Sequence, residues 1–112
     1  YVRPDGVRVA DDWNDLVLSG PTEGILVTET GVMMFDKMVW TGTAPSGKVL
    51  DPTAHCQSWT SSSPAETSRV GNSGLDKAQF PEAWAKWVAE RQWTNLVTRA
   101  CQNSYRLYCI EQ

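Results

Sequence analysis

Three short apolar runs follow one another early in the chain, separated by polar gaps of turn length. They occupy residues 25–28, 32–35 and 38–41. Runs of this length with such gaps are typical of short strands joined by hairpins. A terminal strand is predicted for residues 105–110, which are rich in aromatic and β-branched types. The segments 41–47 and 58–73 carry clustered glycine, proline and serine and are predicted as loops.

One longer helix is predicted between residues 75 and 100, because an apolar stripe there has helical spacing. The stripe consists of Phe80, Ala83, Trp84, Trp87 and Val88. These positions follow the i, i+3, i+4, i+7 and i+8 pattern of one helix face. We therefore expect Trp84 and Trp87 in the core. Trp93 lies off the stripe and is the better candidate for exposure, although it could equally fill the core after a bend in the helix.

A single helical turn is predicted around residues 13–16, where Asp11 or Asp12 could cap it. Together with Asp15, these carboxylates could alternatively bind calcium. The DxDxDG spacing of a calcium loop is absent, however, and solvated acids at a helix start explain the three aspartates equally well. We expect no metal site and no cofactor, with calcium kept as the one alternative.

Composition and charge narrow the class of protein. The chain has 112 residues, which suits one domain, and its 41% hydrophobic content with six tryptophans excludes intrinsic disorder. No apolar run approaches the roughly 18 residues that a membrane helix needs. The net charge is −3 and the ten basic residues are scattered. A nucleic-acid partner and membrane insertion are therefore not expected.

The sequence offers little for catalysis. The single histidine, His55, directly precedes Cys56, but adjacent residues of an extended segment point to opposite faces, so the two would not form a nucleophile pair. The serines at 61–63 lack the GxSxG context of a hydrolase nucleophile. We therefore expect a protein that is not an enzyme and has no catalytic residue.

The three cysteines are Cys56, Cys101 and Cys109, and none of them has CxxC spacing. Structural disulfides in a secreted chain are favoured over a metal or redox site. An odd count leaves one cysteine with a partner elsewhere or as a free thiol. The chain opens on Tyr1 instead of methionine, which predicts a mature fragment or part of something longer.

Three sequence blocks resemble the endostatin domain, which ends certain non-fibrillar collagens and has similar domains in bacterial secreted proteins. The blocks are VWTGTAPSG at 39–47, HCQSW at 55–59 and ACQNSYRLYCIE at 100–111. The resemblance implies an α+β fold of the C-type-lectin-like class, with a twisted, mostly antiparallel sheet, long loops, a flanking helix and disulfide ties.

The resemblance also implies a disulfide pairing and a domain organisation. Cys56 and Cys101 would form the inner bridge, and Cys109 would pair with a cysteine that lies before Tyr1. Residues 1–112 would be a single lectin-like domain that lacks its N-terminal helix and strand portion. Residues 75–92 would be a helical insertion. The arginine-rich heparin surface and the zinc ligands of animal endostatins have no counterpart in this acidic chain.

We expect a bacterial protein, secreted or on the cell surface, that binds a carbohydrate or an extracellular protein in adhesion. Recognition is predicted to use the loops 41–55 and 58–73, with Trp59, Trp93 and Tyr105 as ligand contacts. The first alternative is a structural subunit of an extracellular filament or surface assembly, and a hydrolase is the second. In the first alternative, Cys109 and an apolar face would drive self-assembly or association with an upstream fragment.

Overall fold

The computed structural model describes residues 1–44, 46–49, 55–108 and 110, and within them the chain forms a small α+β fold. The elements in chain order are α1 (Trp13–Leu18), β1 (Met38–Trp40), α2 (Cys56–Trp59), β2 (Thr67–Asn72), α3 (Glu82–Gln92) and β3 (Val97–Ala100). Among the described residues, no helix is long and apolar enough to cross a membrane.

The strands form one antiparallel sheet in the order β1-β2-β3, so β2 is central. Val39 pairs with Gly71, and Val70 pairs with Val97. The prediction of a loop over 58–73 was wrong for the residues of β2. Small residues make this strand look like a loop, but Gly71 is required by packing, because a Cβ there would lie 1.7 Å from the Trp93 carbonyl oxygen.

The runs at 25–28 and 32–35 form a hairpin that is shorter than predicted. A single bridge joins Val27 to Met33, and the Thr28 N–H donates to the Val32 carbonyl over 2.9 Å. The third run is confirmed as β1. In the predicted terminal strand, the described residues make only one parallel bridge, between Arg106 and Val39. Strand pairing at the sheet edge is made by β3 instead, which lies inside the region predicted as helical.

Helix α3 is confirmed, but its orientation reverses the predicted burial of the tryptophans. The helix buries Ala85, Val88 and Ala89, whereas Trp84 and Trp87 are 54% and 49% exposed. The helix backbone runs too close to its neighbours for indole rings. A Cβ on Gly20, for example, would lie 2.3 Å from the Glu90 carbonyl oxygen. The inward face of α3 therefore carries small side chains.

Of the two positions predicted for Trp93, the exposed one is wrong and the core position after a bend is correct. Trp93 follows α3 directly and is only 7% exposed. It belongs to the buried core cluster, whose other members are Val9, Ala10, Leu16 and Ile25. The chain turns back toward the sheet at the end of α3, and this turn carries the indole ring inward.

Helix α1 is confirmed with the predicted cap. The Asp12 side chain accepts the Asp15 N–H over 2.9 Å, and the Asp15 carboxylate accepts the Asp11 N–H over 3.0 Å. This reciprocal pattern satisfies N–H groups at the start of the helix. Asp11 also forms an ion pair with Arg8 at 2.8 Å. The three aspartates thus have structural roles, and the described residues hold no group of three or more His, Cys, Asp or Glu placed to bind a metal.

Tyr108 ties the C-terminal segment to the rest of the core. The single proton of its hydroxyl is shared between the Asn72 carbonyl, at 2.8 Å, and the Trp93 carbonyl, and its ring centroid lies 6.1 Å from that of Trp93. Burial raises the pKa of the Tyr108 phenol well above its usual range. This side chain therefore joins β2, the exit of α3 and the segment 105–108.

Candidate binding groove

The disulfide between Cys56 and Cys101 joins α2 to the residue that follows β3. The Cα atoms are 5.6 Å apart and the bond spans 45 residues of sequence. This is the inner pairing that the resemblance implied. Because the Cys56 sulfur is bonded to Cys101, it is not available as a nucleophile beside His55. Cys109 lies outside the described residues, and its partner stays a prediction.

Element α2 is a left-handed turn, not an ordinary helix. Its four residues, Cys56, Gln57, Ser58 and Trp59, have φ angles of 51°, 50°, 57° and 66°. Non-glycine residues avoid this region, at a cost of about 1–2 kcal/mol each. Sequence reasoning missed the turn, because none of the four is a glycine or an asparagine, the residues that usually mark such a conformation.

Several contacts hold the left-handed turn in place. His55 Nδ1 accepts the Ser58 N–H over 2.8 Å, and the His55 carbonyl accepts the Trp59 N–H over 3.0 Å. The Gln57 side-chain amide donates to the Glu66 carboxylate. Backbone strain that the surrounding structure maintains is common at functional sites. In this protein the strained turn positions the Trp59 ring.

Three aromatic rings meet next to the disulfide. Trp40 lies with its ring centroid 4.9 Å from that of Tyr105 and 6.1 Å from that of Trp59. Trp40 comes from β1, where Val39 points into the core and Trp40 points to the opposite face. Tyr105 is held nearby because the Trp40 N–H donates to the Arg106 carbonyl over 2.8 Å.

The structure thus brings together two of the three predicted contact residues. Trp59 and Tyr105 lie in one cluster, and Trp93 lies in the core instead. Trp40 is the contact that sequence reasoning missed. Its signal was present in the alternation of β1, where a buried valine precedes a large aromatic residue of opposite orientation.

These rings line an open groove of about 470 Å³, which we call the aromatic groove. Its lining residues are Trp40, Cys56, Trp59, Ser61, Cys101, Tyr105 and Leu107. Trp59 keeps 50% of its surface exposed and Leu107 keeps 73%. None of these described lining side chains is charged at neutral pH. The groove therefore offers aromatic and aliphatic surface, two hydroxyl groups and two indole N–H groups.

A larger cavity of about 720 Å³ adjoins the aromatic groove at Tyr105 and Leu107. It lies between the segment 105–108 and the hairpin of residues 25–34, and Glu29 and Arg106 contribute to its lining. Of the predicted contact residues, only Tyr105 reaches it. We therefore assign the candidate site to the aromatic groove, where the exposed aromatic rings converge, although it is the smaller of the two.

The predicted recognition loops contribute unequally. Loop 58–73 supplies Trp59 and Ser61 to the groove before it enters β2. In loop 41–55, Gly42 allows the Trp59 ring to approach, since a Cβ on Gly42 would lie 3.1 Å from the indole. Residues 45 and 50–54 of that loop lie outside the described residues.

Comparison with protein-family models, with curated proteins and with solved structures finds no match to this chain. The endostatin-like resemblance therefore rests on the sequence blocks alone. The insertion at 75–92 and the absence of an N-terminal portion likewise stay predictions.

Proposed function

We propose that this protein is an extracellular binding module of C-type-lectin-like, endostatin-like fold that binds a carbohydrate in the aromatic groove. The observation that carries the proposal is the convergence of Trp40, Trp59 and Tyr105 around one open groove. Aromatic ring faces are electron-rich, so the C–H-bearing face of a pyranose ring packs favourably on them. Ligand sites commonly combine such apolar walls with a few polar groups.

The exposure of Trp59 supports a binding role over a role in stability. A tryptophan with half of its surface in water gains little from burial, yet the backbone that positions it is strained over four residues. Folding alone would favour a relaxed turn with the indole packed inward. The exposed ring is explained if its contacts are completed by a ligand.

The disulfide supports an extracellular location, since such bonds persist in oxidising compartments and are rare in the cytosol. A non-catalytic role is supported by the state of the two best nucleophile candidates. The Cys56 sulfur is in a disulfide and His55 Nδ1 accepts a backbone N–H, so neither atom is free for chemistry.

The test is binding to an array of immobilised glycans, with variants chosen to separate the groove from other exposed tryptophans. Trp59→Ala is expected to weaken binding by about fivefold to 150-fold, since one stacked ring contributes about 1–3 kcal/mol by analogy with base stacking. Trp84→Ala and Trp87→Ala are matched controls, because these residues are equally exposed but lie on α3. Equal binding by all three variants would contradict the assignment of the groove.

The panel of probes must also include extracellular proteins, because an extracellular protein is the alternative partner in the same groove. A Trp59-dependent capture of a protein, with no glycan bound, would assign the groove to protein recognition. Circular dichroism of each variant serves as the folding control.

A second candidate is a structural subunit of an extracellular assembly. It is favoured by the outward face of α3, where Trp84 and Trp87 are half exposed and the Phe80 ring lies 5.7 Å from that of Trp84. Exposed apolar surface of this kind is a frequent site of association. Light scattering over a range of concentrations tests it, and a monomer throughout would count against assembly.

A further inference from the structure

We infer that the ligand of the aromatic groove is an uncharged pyranoside, held by ring stacking and neutral hydrogen bonds, with no calcium ion and no ion pair. The inference rests on the proposed function and specifies its ligand class. It follows from the charge, the ring geometry and the hydrogen-bonding groups of the groove.

The charge of the lining excludes an anionic ligand. All seven lining residues within the described part of the chain are uncharged at neutral pH. Arg106, although it follows Tyr105, lines the adjoining cavity and not the aromatic groove. A sulfate or carboxylate placed among these rings would lose its hydration without gaining a countercharge, which is strongly unfavourable. A neutral sugar has no such penalty.

Glu66 is hydrogen-bonded both to the left-handed turn and to Cys101. Among the described residues, its Oε1 atom has a partner and its buried Oε2 atom has none. Glu66 accepts the Gln57 side-chain amide, and its backbone carbonyl accepts the Cys101 N–H over 2.9 Å. Glu66 is not among the groove-lining residues. Calcium takes six to eight oxygen ligands, several of them carboxylates. Among the described lining residues the side-chain oxygens are two hydroxyls, at Ser61 and Tyr105, so this lining is not suited to a calcium-bridged sugar.

The ring geometry leaves aromatic surface for a ligand. The Trp40 plane is inclined by 62° to that of Trp59 and by 59° to that of Tyr105. Inclined rings do not cover each other's faces as parallel stacked rings do. The 50% exposure of Trp59 shows that much of its indole is still open to solvent. A pyranose ring can therefore pack on it.

The polar groups of the groove are neutral and match hydroxyl groups. The Trp59 indole N–H and the Tyr105 hydroxyl have no hydrogen-bond partner among the described residues. The Ser61 oxygen accepts the Ser63 N–H over 3.1 Å and keeps its own proton free to donate. A ligand that carries several hydroxyl groups can satisfy all three, whereas a purely apolar ligand would leave them unpaired.

The experiment compares neutral and anionic glycans on the intact chain. The probes are neutral gluco-, galacto- and manno-configured oligosaccharides, each paired with a sulfated counterpart, and heparin. Binding is measured by tryptophan fluorescence with calcium or with EDTA, and at low and high sodium chloride. We expect a neutral probe to bind with less than about a twofold change under either condition, because screening acts on charge pairs.

Two variants make the test specific. Tyr105→Phe removes one hydroxyl and keeps the ring, so it should weaken binding by about twofold to tenfold, the range of one neutral hydrogen bond. Lys86→Ala is the control, because Lys86 pairs with Glu90 on α3, away from the groove. Loss of the neutral ligand in Trp59→Ala with retention in Lys86→Ala supports the inference.

The possible failures are distinguishable. Trp59-dependent binding that prefers a sulfated probe, or that EDTA abolishes, would overturn this inference and leave the proposed carbohydrate function intact. Binding of no glycan, or binding that ignores Trp59, would overturn both.

Discussion

At the scale of single residues, the most unusual feature is the run of four left-handed positions from Cys56 to Trp59. Such a run has a large local cost, and the described structure offsets it with the His55 cap, the Gln57 contact to Glu66 and the disulfide. The turn sets the direction of the Trp59 side chain. Relaxing the turn would move Trp59 away from Trp40.

The substitution Ser58→Gly tests the strain in this turn. Ser58 has φ of 57°, and the hydrogen bond described for it uses its backbone N–H, so a glycine keeps that contact. In the folded state glycine relieves the left-handed strain, and this gain exceeds the free-energy cost of the conformational entropy that glycine adds to the unfolded chain. We therefore expect the free energy of unfolding to rise by up to about 1 kcal/mol. Urea unfolding measures it.

Ser62→Gly is the matched control, because Ser62 is exposed and is not among the positive-φ residues. There the entropy cost acts alone, and a loss of about 0.5–1 kcal/mol is expected. Destabilisation of the same size in both variants would show that the turn is not strained.

At the scale of elements, helix α3 shows how far sequence periodicity reaches. The apolar spacing predicted a helix within 75–100 correctly, because a regular stripe is a property of one element. The face that turns inward is decided by the partner surface. Gly20 and the α3 backbone approach so closely that only small side chains fit, so Ala85, Val88 and Ala89 are buried and the tryptophan stripe faces solvent.

The residues of the candidate site were likewise predictable from the sequence only in part. Trp59 and Tyr105 were predicted as ligand contacts among the exposed aromatic residues, and the structure places both at the groove. Trp40 could not be recognised before the orientation of β1 was known. The position of Trp93 was left open for the same reason that the orientation of the α3 stripe was wrong, since its burial depends on where the chain turns after the helix.

Tyr108 gives an element-scale prediction, since its hydroxyl joins β2 to the exit of α3. Tyr108→Phe leaves two carbonyl groups without this donor and should lower the free energy of unfolding by about 1–2 kcal/mol at pH 8. Tyr105→Phe is the control, because the Tyr105 hydroxyl has no partner among the described residues, and it should change stability little.

The difference in the free energy of unfolding between wild type and Tyr108→Phe should depend on pH. Because burial raises the pKa of Tyr108 in the folded state, its stabilising effect is complete below pH 10, the pKa of an unperturbed tyrosine, and declines above it. At pH 11 ionisation of the unfolded chain should narrow this difference by about 1.4 kcal/mol. Urea unfolding at pH 8 and pH 11 measures the change, and a difference that does not vary with pH would contradict the burial of the phenol.

At the scale of the whole molecule, the aromatic groove is assembled from segments that are far apart in sequence. Trp40 belongs to the sheet, Trp59 follows the first half-cystine, and Tyr105 follows the second. The disulfide is the covalent link between the last two. We therefore predict two roles for the disulfide: it stabilises the fold, and it holds the ligand-binding residues together.

Replacing both half-cystines, by Cys56→Ser with Cys101→Ser, separates these two roles. Closing a loop of 45 residues is worth about 4 kcal/mol in the chain-entropy treatment, so the free energy of unfolding should fall by about 2–4 kcal/mol. A domain of this size has only about 5–15 kcal/mol in total. The variant should therefore stay folded at low temperature but unfold at much lower urea concentration.

Glycan binding in the same double variant shows whether the disulfide also maintains the groove. With the link removed, the left-handed turn can relax, and Trp59 is expected to leave its position beside Trp40, so binding should fall even at temperatures where circular dichroism shows a folded chain. Ser58→Gly provides the comparison, because glycine tolerates the left-handed conformation and keeps the disulfide. Full binding by a folded double variant would show that packing around the Trp40 ring, and not the covalent link, holds Trp59 in the groove.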